Sequence, residues 1–123
     1  MCNGNKLTMP APYRWVLEKG LAGFEPWTAL QPWYFLREAD VFEPTSTWPA
    51  GPSKARLVAF ARRQDCDDIA CFEFGSGEPG SVVVIHGWTE EGYSIDSRHA
   101  SFWDWMKTVI DDIAQWMSCE CDG

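Results

Sequence analysis

Asp65, Asp67 and Asp68 form the densest carboxylate cluster in the chain, directly after Arg62 and Arg63. Carboxylates this close could gather oxygen ligands around a divalent cation. The spacing departs from a calcium loop, which needs a Gly at its sharp turn and a Glu to close it. A hairpin turn uses the same residue types differently: Asp side chains bond nearby backbone N–H groups and pair with the arginines. Turn chemistry accounts for the whole cluster, so no metal is expected. His86 follows Val82-Val83-Val84-Ile85 and precedes Gly87-Trp88. A general base needs a group to activate, and neither a G-x-S-x-G elbow nor a Cys-Gly protease context supplies one. His86 therefore reads as a satisfied strand-end residue. Gly75-Ser76-Gly77-Glu78-Pro79-Gly80 is glycine-dense but lacks the Lys-Ser/Thr ending of a phosphate loop and opens no helix, so it reads as a turn. No catalytic residue and no cofactor are expected.

The five cysteines show no paired CxxC spacing, which fits reduced thiols. Cys119-x-Cys121 with His86 or His99 could form a zinc site, but structural zinc usually shows tighter ligand pairs. Neither a signal-peptide apolar run nor a membrane-length segment is visible, so a cytoplasmic location without membrane contact is expected. The net charge is −8, from 10 basic and 18 acidic residues. Such a surface repels nucleic-acid phosphates and anionic membranes, and leaves a basic protein as the natural charged partner. The same charge would also serve solubility alone. Eight tryptophans are many for 123 residues. Trp105 and Trp116 fall on a helix stripe and are core candidates, with Trp103 beside it. Trp27, Trp33, Trp48 and Trp88 lie in or beside loops, where aromatics anchor interfaces, stack on sugars, or simply gain buried area.

These residues need a scaffold to hold them. Area scaling leaves roughly 6,700 Å² exposed of about 20,000 Å², enough for one core and one domain over residues 1–123. Residues 1–11 read as loose and 118–123 as a fraying tail. Tyr13 to Lys19 makes a short helix stopped by Gly20. Trp33 to Leu36 reads as a strand, and Glu38 to Lys54 as a long loop rich in Pro and Gly. Leu57–Arg63, Ile69–Phe74 and Ser81–His86 are strands joined by turns too short for a parallel crossover. Phe102, Trp105, Met106, Val109, Ile110, Ile113, Trp116 and Met117 recur at helical spacing, with Ser101 as N-cap. The fold class is α+β: an antiparallel meander, a C-terminal amphipathic helix on one face, and a short N-terminal helix.

The segment from Phe60 to Phe72, FARRQDCDDIACF, resembles the SUKH superfamily, the Smi/Knr-like proteins, many of which are bacterial immunity proteins. Pro32-Trp33-Tyr34-Phe35-Leu36, Val82 to Gly87, and Phe102-Trp103-Asp104-Trp105 extend the likeness from about Trp27 to Met117. The resemblance marks Trp33, Arg62, Asp65, Asp67, Asp68, Trp103 and Trp105 as motif or structural positions. It implies a non-catalytic α+β domain that binds a toxin, often a nuclease, and needs no cofactor. Charge and loop position add a contact set: Trp88, Glu90, Glu91 and Asp96, in a Gly-containing connection between the third central strand and the last helix. A regulatory interaction domain of the same fold, a carbohydrate-binding module and a metal-dependent hydrolase are the competing readings.

Overall fold

The computed structural model describes residues 9–23, 32–53, 55–75, 81–90 and 92–122, with side chains as far as 115. Five antiparallel strands lie in chain order: β1 (Trp33–Phe35), β2 (Arg56–Arg63), β3 (Asp68–Phe74), β4 (Val82–Thr89) and β5 (Gly92–His99). Helix α1 (Ala11–Glu18) precedes the sheet, α2 (Pro44–Thr47) lies between β1 and β2, and α3 (Phe102–Asp122) ends the described chain. The α+β architecture is thus the one the strand spacing implies. No helix among the described residues is long and apolar enough to cross a membrane.

Helix α3 covers one sheet face. Its Phe102, Trp105 and Val109 join Phe35, Phe60 and Phe72 from the sheet, and Tyr13 and Val16 from α1. Phe60 and Phe72 stack with centroids 4.1 Å apart, and Trp105 meets Phe60 edge-on at 5.0 Å. Such aromatic pairs stabilise beyond the area they bury. The Ser101 hydroxyl accepts the Asp104 backbone N–H at 3.1 Å, capping the helix start. The Trp33 indole N–H donates to Asp112 at 3.0 Å and ties the helix to β1.

The other face is buried as well. Leu57, Ala59, Ile69, Cys71, Val83, Ile85 and Tyr93 form a second cluster, covered by Leu36, Phe42 and Trp48. Burial on both faces explains why β2, β3 and β4 read as continuous apolar runs instead of alternating ones. Covering that face is the task of the segment expected to be a long loop, which instead contains a 3-10 turn (Glu38–Asp40) and α2, begun by Pro44. The Ala59 N–H donates to the Phe42 carbonyl at 2.7 Å, and Arg56 grips Glu43 through two 2.6 Å hydrogen bonds. These contacts bind the segment along β2.

Several expectations are corrected. β4 runs on to Thr89, and the supposed connection to the last helix is a fifth strand. Only Tyr93 and Ile95 of β5 face the second cluster, so an edge strand with polar alternate residues lacks the apolar run that marks the others. Helix α1 starts at Ala11 because Pro10 and Pro12 suit a helix start, so residue 11 is not loose. α3 has 21 residues and runs to Asp122. Ile110 is 59% exposed, although its spacing predicts a place on the buried stripe. Phe102, Trp105 and Val109 are buried and Met106 and Ile113 pack against the same cluster, so among the described stripe residues Ile110 is the one that departs.

Trp105→Ala should cost about 3–5 kcal/mol in urea unfolding, because it empties the aromatic cluster. Ile110→Ala and Lys107→Ala should each stay within about 0.5 kcal/mol. Comparable losses at Ile110 and Trp105 would contradict this helix phase.

Candidate functional site

The site begins with a bulge in β2. Ala59 lies opposite Cys71 and Ala61 opposite Ala70, which leaves Phe60 as an extra residue. The extra residue reverses the alternation of faces beyond it. Phe60 and Ala61 therefore both join the cluster under α3, while Arg62 emerges on the second face and Arg63 on the first.

The two arginines meet different surroundings. Arg63 donates to both Asp65 oxygens at 2.8 and 2.9 Å, and lies 3.4 Å from Asp112 of α3. The hydrogen bond from Arg63 holds the Asp65 carboxyl below its ordinary range and raises the guanidinium in turn. Arg62 stands beside Tyr34 of β1 and Ile69 of β3. Its guanidinium lies 4.8 Å from the centre of the Trp88 ring. Its Nε is shielded from solvent and has no hydrogen-bond acceptor.

Trp88 reaches Arg62 through a second bulge. Gly87 pairs with Tyr93 and Thr89 with Gly92, so Trp88 is the unpaired residue. Its φ is +56°, a left-handed backbone that a bulky side chain seldom adopts. The Gly87 N–H donates to the Asp67 carbonyl at 2.9 Å and fixes the neighbouring backbone. Trp88 remains 53% exposed and meets Trp48 edge-on at 5.3 Å. Trp48 is seated against Tyr93 at 5.9 Å and over Gly92, whose φ is +109°. A Cβ there would lie 2.5 Å from the Trp48 ring, so only glycine leaves room.

Between these groups lies an open recess of about 710 Å³, lined by Trp48, Trp88, Arg62, Tyr34, Arg37 and Asp40 among others. Arg37 Nε donates to Asp40 at 3.0 Å. The volume is in the range of ligand pockets, and the lining combines flat apolar walls with cationic donors. This arrangement can hold a planar or apolar group and a negative charge.

The remaining sequence candidates are dispersed. Glu90 is exposed at the β4–β5 turn, two residues from Trp88, and Glu91 lies outside the described residues. Asp96 is exposed on β5, the extra residue between Ser97 and Ile95. Neither Glu90 nor Asp96 is in a connection to the last helix. Asp68 lies 2.9 Å from His86 Nδ1, and His86 is an exposed residue within β4, not at its end. Trp33 of β1 and Trp105 of α3 are buried in the cluster between the helix and the sheet. Trp103, 58% exposed, lies with Trp15 on a different surface. Trp27 and the side chains of Trp116, Cys119 and Cys121 lie outside the described part. Cys71 is fully buried and Cys66 exposed, and burial raises both thiols, Cys71 strongly. Neither is poised as a thiolate. Among the described residues no group of three or more His, Cys, Asp or Glu is placed to hold a metal ion. Tyr34, Arg37 and Asp40, which line the recess with Trp48, were not marked by the sequence. The available signal was a long segment holding Phe42 and Trp48 between two apolar strands.

Comparison with family models, curated proteins and solved structures finds no match to this chain.

The hydrogen bond to Asp68 raises the His86 pKa above its ordinary value, with Asp67 and Asp96 adding to the effect. A raised folded-state pKa stabilises the protein below the unfolded value of about 6.5. That contribution is lost as pH rises through the folded value. In an NMR titration Asp68→Asn should lower the His86 midpoint. An unchanged midpoint would mean that Asp68 does not set it.

Proposed function

We propose that the protein is a non-catalytic binding protein of the immunity type that the SUKH resemblance implies. It would neutralise a cognate toxin, possessing a basic surface, in the cytoplasm by covering the toxin's active or substrate-binding surface. The observation that carries the binding role is Trp88: a half-exposed tryptophan, fixed in a strained backbone, at the rim of a recess shared with Trp48 and Arg62. Trp, Tyr and Arg dominate the binding energy of protein interfaces, and backbone strain concentrates at functional sites. The net charge of −8 supports a basic partner, with exposed Glu90 and Asp96 available to steer it. The toxin as the kind of partner comes from the resemblance.

Affinity capture from the native cell, followed by co-expression, tests this reading. The captured protein should be toxic alone and harmless with the wild-type chain. Trp88→Ala should shorten the lifetime of the complex about 30-fold, the equivalent of about 2 kcal/mol, and restore toxicity. Glu90→Gln with Asp96→Asn should flatten the salt dependence of association and leave dissociation nearly unchanged. An acidic partner, or an association rate indifferent to salt, would overturn electrostatic occlusion. A captured protein without toxicity would overturn the immunity role.

A further inference from the structure

Arg62 is an exception among the arginines of this chain. Arg37 is paired with Asp40, Arg56 with Glu43, Arg63 with Asp65 and Asp112, and Arg98 with Glu73. Arg14 donates to the Met9 carbonyl. Among the described residues Arg62 has the face of Trp88 but no carboxylate, although the chain has 18 acidic residues to 10 basic ones. A partly buried guanidinium with an unsatisfied Nε is unfavourable unless something else supplies the acceptor. Arg62 also lines the recess.

We propose that the recess binds a carboxylate carried on a flat apolar or aromatic body, with Arg62 as its counter-charge. This rests on the reading of the recess as the contact surface and names the group that is presented there. A carboxylate can take two parallel N–H bonds from one guanidinium, which matches the unmet need of Arg62. Trp48, Trp88 and Tyr34 supply walls for the flat part of the ligand. A neutral sugar or amide would leave the Arg62 charge uncompensated, and a cation would be repelled by it. Trp88 is the movable side of the site: it is half exposed and sits on a bulge, so its ring can shift from the guanidinium to admit the ligand. Arg37 is already engaged by Asp40, so Arg62 carries the charge selectivity.

The carboxylate could come from a free aromatic acid or from an acidic segment of a protein partner. Two acids serve as probes: phenylacetate, and the peptide acetyl-Phe-Glu-Phe-amide. Phenylacetamide and acetyl-Phe-Gln-Phe-amide are their neutral counterparts. Binding is followed on the indole N–H resonances of Trp48 and Trp88. At least one acid should bind about tenfold more tightly than its neutral counterpart, and the tighter acid identifies the source. Arg62→Gln should abolish that preference while the protein stays folded, because no ion pair is lost. Arg62→Lys should keep part of it, and Arg98→Gln, remote from the recess, should keep all of it. Equal binding of acid and amide, a preference that survives Arg62→Gln, or indole resonances that no probe shifts would each overturn the proposal. If Arg62→Gln does not fold, the acid-to-amide ratio in the wild-type protein and in Trp88→Ala decides. Trp88→Ala should weaken both acids, and unchanged binding would overturn the proposal. No toxin enters this experiment, so its failure leaves the immunity reading standing, and the absence of a toxic partner leaves the recess chemistry standing.

Discussion

Phe60 is one residue more than β3 can pair with, and the placement of every charged group at that end of the sheet follows from how the extra residue is accommodated. Its ring stacks on Phe72 and receives the edge of Trp105, so the backbone bends to keep it under α3. Strict alternation from Ala59 would have put Arg62 beneath the helix and Arg63 on the opposite face. The bulge exchanges them. Arg63 then reaches Asp112 and braces α3, while Arg62 is delivered to Tyr34 and the Trp88 ring. Packing of one aromatic side chain thus decides which arginine is structural and which is left without a carboxylate.

The recess also depends on a cover for the second face. The segment after β1 has little regular structure, yet it is held along β2 by the Phe42–Ala59 bridge and the Glu43–Arg56 pair. That anchoring brings Trp48 over Gly92 and against Tyr93. Trp88 comes from the opposite direction, thrown out of β4 by its own bulge. Two tryptophans 40 residues apart in sequence meet there: Trp48, at the end of α2, packs over Gly92, and Trp88 stands on the bulge beside Gly87. Tryptophan offers a large contact area for only two rotatable side-chain bonds, which favours recognition.

Charge is distributed in two layers. Arg37, Arg56, Arg63 and Arg98 are tied to carboxylates near the surface, where such pairs contribute little to stability but define local geometry. The excess acid remains outside, at positions such as Glu90 and Asp96, while the recess keeps a cation within reach. Exposed acid of this kind speeds encounter with a basic partner, whereas a cation in the recess would act on contact.

The sequence alone determined the antiparallel order of β2, β3 and β4, the Ser101 cap and the Phe102–Trp105–Val109 stripe. Each is written in neighbours a few residues apart: β-branched runs, short turns, a hydroxyl before a helical repeat. It also announced that Asp65 and an arginine would pair in a turn. Tertiary structure alone decided that the partner is Arg63, that β5 exists as an edge strand with only Tyr93 and Ile95 turned inward, and that Ile110 is left in solvent. It alone assembled Tyr34, Arg37, Asp40, Trp48, Arg62 and Trp88 around one recess. The physical reason is register. A bulge changes which face a residue occupies, and whether one forms depends on long-range packing, such as Phe60 against Phe72 and Trp105, that no local period records.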